Sequence, residues 1–216
     1  MCNVNRSQLE KSFKLKIYKM KYRLSFTAAN AMIPEFIKLG KALYDGVPFD
    51  EIDENILGRG KRATNTRELR ELKIRAKGCT QKQIEILSEG SHDQQVQITH
   101  LALCKAYAIY KDFVTEILLE KVQVFDYHVS ELDYNSFISR KKVDHPELDF
   151  IAESTQKKIR QVIFRMLQQV ELIDSIKNPT LQVPALDPKV EQAIVQDNPE
   201  LLSCFLYDEN RIQAIV

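Results

Sequence analysis

From Ser91 to about Phe125 the chain reads SHDQQVQITHLALCKAYAIYKDFVTEILLEKVQVF, with neither Gly nor Pro. Apolar residues recur at Val96, Ile98, Leu101, Leu103, Ile109, Phe113, Val114, Ile117 and Leu118, and Lys105 is the one charge between Leu101 and Tyr110. A helix apolar on nearly all sides has to be covered by other helices. At about 1.5 Å per residue this stretch would span roughly 50 Å. It is therefore expected to be the central post of a helical protein, jointed near Thr115. Gly90 breaks the chain before it, Ser91 is a good N-cap, and Asp93 sets a carboxylate in the first turn.

The flanking patterns are also mostly helical. Residues 13–26 alternate apolar residues with lysines, yet Phe13, Ile17, Met20 and Leu24 also make a helical stripe, so strand and helix stay open there. A helix is expected from Thr27 to Tyr44, properly beginning near Pro34, which a first turn tolerates. A short helix over Asp50–Leu57 and a basic loop, Gly58-Arg59-Gly60-Lys61-Arg62, follow. Residues 64–78 read as a charged helix held by near-neighbour ion pairs, and Thr80 caps another to Ser88. Further on come a helix around Tyr134–Val143, a break at Asp144-His145-Pro146, and a helix from about Ser154 to Gln169. In NPTLQVPALDP, Leu181 and Val183 alternate between prolines like a short hairpin, and a final helix is expected from Pro188 into Leu206, interrupted near Asn198-Pro199. Helix, break, helix and hairpin is the order of a winged helix-turn-helix. The expected fold is mainly α: a basic arm (1–26), a helical domain (27–130) and a winged helix-turn-helix-like C-terminal domain with a last helix (131–216).

Charge changes this picture more than composition does. The net charge of +1 hides an asymmetry: residues 1–77 hold 17 Lys+Arg against 9 Asp+Glu, net +8, and the remainder nets −7. Such segregation suits a basic face meeting an anionic partner, or two halves attracting each other or a second subunit. No run approaches the roughly 20 apolar residues of a membrane helix. Cys2, Cys79, Cys104 and Cys204 are scattered singly, which suits reduced thiols and a cytoplasmic setting. GRGK at 58–61 lacks the spacing of a phosphate loop. His92, His100, His128 and His145 have no metal-ligand spacing, and no GxSxG or glycine-rich cradle occurs. Neither a catalytic residue, a metal site nor a cofactor is therefore expected.

The candidate chemistry is nucleic-acid contact. On the 154–169 helix Ile159, Val162, Ile163 and Met166 share one side, while Lys157, Gln161 and Arg165, flanked by Lys158 and Arg160, gather on the other. Lys and Arg pair with phosphates, and Gln and Arg reach base edges. Thr155 stands where a helix N-terminus meets phosphate. Arg59, Lys61 and Arg62 of the loop and Arg140, Lys141 and Lys142 of the preceding helix complete the set. A solvated amphipathic helix fits the same pattern.

Two stretches carry a family resemblance. KYRLSFTAANAMIPEFIKLGKAL at 21–43 resembles the Tyr-x-Leu-Ser-Phe-Thr opening of the small A component of BREX phage-defence systems, the BrxA family. ESTQKKIRQVIFRMLQQVELI at 153–173 resembles that family's Thr-x-x-Lys-x-Arg helix, matched here by Thr155, Lys158 and Arg160. The sequence departs at Gln169-Val170, where a turn glycine is expected. The resemblance implies a non-enzymatic, all-helical defence subunit related to the antitermination RNA-binding fold, with DNA-binding-like elements. It would act beside other BREX subunits (a methyltransferase, a phosphatase-like protein and ATPases) and contact double-stranded DNA mainly through phosphates. The rival expectations are an assembly subunit without nucleic-acid contact and an RNA-binding protein. Oligomeric state is not legible.

Overall fold

A computed structural model describes residues 21–58 and 60–216. The basic arm through Lys19 and Arg59 of the loop thus lie outside the described residues. The chain forms α1 (Ile33–Tyr44), α2 (Arg62–Lys77), α3 (Gln81–Glu89), α4 (His92–Ala106), α5 (Ala108–Phe113), a π-helical turn (Val114–Leu118) and α6 (Leu119–Gln123). It continues with α7 (Glu131–Asp144), α8 (Glu153–Gln169), α9 (Pro188–Val195) and α10 (Glu209–Ile215), joined in places by 3-10 turns. One hydrophobic cluster runs from Tyr22 to Tyr207. No helix of the described residues is long and apolar enough to cross a membrane.

Local chemistry starts the helices where the polar signals stand. Thr80 and Gln83, Ser91 and Gln94, and Ser130 and Asp133 close reciprocal capping boxes before α3, α4 and α7. Thr27 behaves differently from expectation. Its hydroxyl donates to the Leu24 carbonyl within a 3-10 turn (Ser25–Ala28), and α1 begins only after Met32, in a left-handed conformation. Gly40 sets how closely α1 and α3 approach, because a Cβ there would meet Leu87 Cδ2 at 2.7 Å.

The post is central, as its apolar pattern demands, but it is not one helix. Leu101, Ala102, Leu103 and Tyr107 are fully buried. At Tyr107 the backbone turns extended (φ −130, ψ 97), ending α4. The joint expected near Thr115 is the π turn, where the Thr115 hydroxyl donates to the Lys111 carbonyl. The break at Tyr107 has a tertiary cause. Its hydroxyl donates to Glu71 Oε2 (2.9 Å) and accepts from Arg75 Nε (3.1 Å), deep between α2 and the post. Arg75, fully buried, also donates to the carbonyls of Ala31 (2.7 Å) and Ala29 (2.8 Å), and Ser25 donates to Glu71. Burial pushes the Tyr107 hydroxyl up to about 12, so it remains a donor. The charged helix is therefore held by a buried Glu–Tyr–Arg network, not by surface pairs alone.

The C-terminal region keeps helix, break and helix, with Pro146 opening a 3-10 turn between α7 and α8. Tyr134, Phe137 and Phe164 from these helices pack around Phe113 of α5. The hairpin is the part the structure does not confirm. Among the described residues there is no strand, only isolated antiparallel bridges pairing His128 with Thr180 and Ile173 with Leu181. Pro179 and Pro184 lack backbone donors, so the segment between them cannot extend a ladder. The region is helical without a formed wing. The last expected helix is interrupted at Asn198-Pro199, as expected, with α9 before the break and a 3-10 turn over Pro199–Phe205 after it. The turn after α8 forms without glycine. Leu172 N–H reaches the Leu167 carbonyl and Glu171 N–H the Gln168 carbonyl, with Glu171 itself left-handed at φ 62. This is a Schellman closure one residue beyond the expected glycine position.

Candidate nucleic-acid interface

α8 brings four of the expected residues together. Lys157, Lys158, Gln161 and Arg165 lie on its outward face, all exposed, opposite the buried Ile159, Ile163 and Met166. Thr155 is exposed in the first turn, but the N-cap is Ala152 and makes no side-chain cap. Arg160 turns away toward α7. The charge on this surface is partly matched: Lys157 pairs with Glu153 at 2.7 Å and Arg160 with Glu131 at 2.9 Å.

The basic run on α7 is dispersed by helical geometry. Arg140 is exposed beside a hollow lined by Glu120, Asp126 and Asp133. Lys142 pairs with Asp149 at 3.1 Å. Lys141 corrects the expectation: it is buried, donates to Asp112 at 2.8 Å and to Glu116, and lies over the Phe137 ring. Burial opposes its charge, yet the two carboxylates outweigh it and raise its pKa. Tyr22 also donates to Asp112 (2.6 Å) and stacks on His145, so this network anchors the start of the described chain. Lys141 is structural and meets no outside phosphate. In the loop, Lys61 is exposed at the N-cap of α2, and Arg62 is paired with Glu54 at 2.6 Å.

Sequence reading passed over a cationic ridge on α2. At 100° per residue, Arg62, Arg67, Arg70, Lys73 and Lys77 fall on one arc of α2, while Glu68 and Glu71 fall on the other. That arc carries five cations and no carboxylate of its own helix. Arg70 stands 4.0 Å from the buried Glu71, and Lys73 and Lys77 lie 5.3 and 5.2 Å from the centre of the Phe49 ring. Among the described residues, Arg67, Lys73 and Lys77 have no carboxylate partner. From Arg62 to Lys77 the ridge runs roughly 22 Å. The signal was available: plotting charges by helical angle, rather than counting i,i+4 pairs, separates the two signs.

No group of three or more His, Cys, Asp or Glu among the described residues is arranged to hold a metal. His100 is a core residue. Its Nε2 meets the Cys204 carbonyl at 2.7 Å and its Nδ1 the Tyr110 hydroxyl at 3.2 Å, and burial pushes its pKa down to about 4.

Three comparisons bear on identity. The fold is shared with an uncharacterized protein from Magnetospirillum magneticum, whose crystal structure superposes with a TM-score of 0.74 at 19% identity, over 86% of this chain and 98% of that one. The sequence is 23% identical over 145 residues to the BREX protein BrxA of Escherichia coli O9:H4 (strain HS), covering 67% of this chain and 68% of that protein. The BrxA family model matches residues 20–198, a span that includes α2, α8 and both stretches of resemblance. With that match extending over most of its length, the chain belongs to the BrxA family.

Proposed function

We propose that this protein is a non-enzymatic component of a BREX system that binds duplex DNA through its phosphates. Family membership and the printed name of the Escherichia coli relative support the system. The cationic arc of α2 supports the DNA. Its side chains are aligned along one helix, face solvent, and are mostly free of competing carboxylates, whereas Lys157 and Arg160 of α8 already hold partners. Phosphate binding releases condensed counterions, so the ridge favours a strongly salt-dependent, weakly sequence-selective contact. The outward residues of α8 add a second contact. The order of α7, the Pro146 turn and α8 resembles a helix-turn-helix, which is fold analogy alone.

The test is fluorescence anisotropy with a short duplex at several salt concentrations, alongside duplex RNA and single strands. Replacing Arg67, Arg70, Lys73 and Lys77 with Gln is expected to lower the slope of log K against log salt by about 3 to 4, if each contacts one phosphate. Replacing Lys157, Arg160 and Arg165 with Ala is expected to do less. Wild-type binding that ignores salt, or full affinity in both variants, would overturn the reading. The assembly-subunit reading would then take over, favoured by the exposed Val143 and Phe150.

A further inference from the structure

Between α7 and α8 lies a groove of about 340 Å³ that plays no part in the ridge. Three cations converge on it from the two helices: Lys142, Lys157 and Arg160. It is also lined by the apolar Ile138, Ile151 and Ile159 and by the amides of Asn135 and Gln156. Tyr134, also in the lining, is only 4% exposed, and its hydroxyl makes no hydrogen bond among the described residues. The hydroxyl oxygen itself keeps contact with solvent, so a ligand acceptor would take the place of a water there. Burial raises the Tyr134 pKa, with Arg160 pulling the other way, so the hydroxyl keeps its proton and can donate.

The carboxylates that hold these cations are themselves loosely placed. Glu131 (69% exposed), Asp149 (57%) and Glu153 (80%) each pair with one of them, and Glu153 itself lines the groove. Exposed ion pairs contribute little, so a dianion that engages several of these cations displaces them readily. Arg offers a planar fork for phosphate oxygens, and the lysines add point charge. A phosphate placed there would leave its substituent against the isoleucines, within reach of the Asn135 amide and of Gln156, whose Nε2 already donates to the Ile151 carbonyl at 2.8 Å.

We infer that the α7–α8 groove binds a single nucleotide, its phosphate held by Arg160, Lys142 and Lys157 and its base lying on the Ile138–Ile151–Ile159 wall beside Tyr134. The volume suits one nucleotide and not a duplex. The same chemistry is offered by a free nucleotide and by the 5′-phosphorylated end of a strand. The proposal does not depend on duplex binding by α2, which the variants above test separately.

Isothermal titration of the full chain with dAMP, deoxyadenosine and inorganic phosphate is the first measurement. dAMP is expected to bind more tightly than either fragment, since phosphate and base contact different side chains. Binding of a 5′-phosphorylated oligonucleotide but not its 5′-hydroxyl form would assign the strand end; binding of dAMP without that preference would assign the free nucleotide. Replacing Arg160 with Met should weaken dAMP at least tenfold. Tyr134→Phe should weaken it several-fold with little change in melting temperature, and Glu131→Gln should tighten it by releasing the guanidinium. The gain in Glu131→Gln is the readout that a merely structural role for Arg160 would not produce. Equal affinity for dAMP and phosphate, no dAMP binding at all, or an unchanged or weakened complex in Glu131→Gln would overturn the assignment.

Discussion

Replacing Arg75 with Met probes the interaction that ties α2 to the central post. The guanidinium is fully buried and donates to Ala29 O, Ala31 O and the Tyr107 hydroxyl at 2.7–3.1 Å. Met fills similar volume but supplies no donor. Hydrogen bonds from a charged group contribute about 1.5–3 kcal/mol each, though three broken at one site do not add in full. A second effect is electrostatic: Glu71, only 1% exposed, loses the buried positive charge linked to it through the Tyr107 hydroxyl. Leaving a buried charge uncompensated after removal of its partner costs about 3–5 kcal/mol in a direct pair, which bounds this hydroxyl-bridged case from above, whereas removing both charges is often close to neutral. The expected loss is thus about 3–5 kcal/mol, or roughly 6–20 °C in melting temperature for a chain of this size. Urea unfolding followed by far-UV circular dichroism measures it. The same experiment on Glu71→Gln and on the double variant closes a cycle, in which the double variant should recover at least about 1 kcal/mol of the summed losses. Arg67→Met, exposed on the same helix and without a carboxylate partner among the described residues, should change stability by no more than about 0.5 kcal/mol. A loss below about 1 kcal/mol for Arg75→Met, or strictly additive losses, would refute the account of the network.

Two further outcomes test local geometry and titration. Glu171 holds a left-handed conformation that costs an L-residue about 1–2 kcal/mol, so Glu171→Gly should stabilise the protein by roughly 0.5–1 kcal/mol after the glycine's extra unfolded-state entropy; a destabilised variant in the same urea titration would contradict the Schellman reading. His100 binds its proton more weakly folded (about 4) than unfolded (about 6.5), so the unfolded chain takes up protons first as pH falls. Stability from this group is therefore intact above about pH 6.5 and declines toward pH 4, by up to about 3 kcal/mol; an NMR titration placing the His100 midpoint above 6 would exclude it.

The chain's own pattern determined that the fold is helical and where most helices start. Capping residues act within a turn, so Ser91 and Thr80 specify their boundaries without help from the rest of the molecule; Ser130 does the same for α7, whose start was expected later, around Tyr134. The apolar run from Val96 to Leu118 likewise required a buried post. It did not reveal the break at Tyr107, because nothing local forbids a helix there; Glu71 and Arg75, over 30 positions earlier, claim the hydroxyl and turn the backbone. Lys141 shows the same limit. Beside Arg140 and Lys142 it reads as one of three exposed cations, and only the approach of Asp112 and Glu116 makes it a core residue. The candidate DNA surface was half legible. The cations of α8 are spaced as expected, but whether a cation is available to phosphate depends on which carboxylates the fold brings beside it. Glu153 lies on the same helix as Lys157, while Glu131 reaches Arg160 from another. On α2, helical angle alone separates the signs, so that ridge was fixed by sequence. Its exposure, and the turning of Glu71 and Arg75 inward, needed the packing of the whole chain.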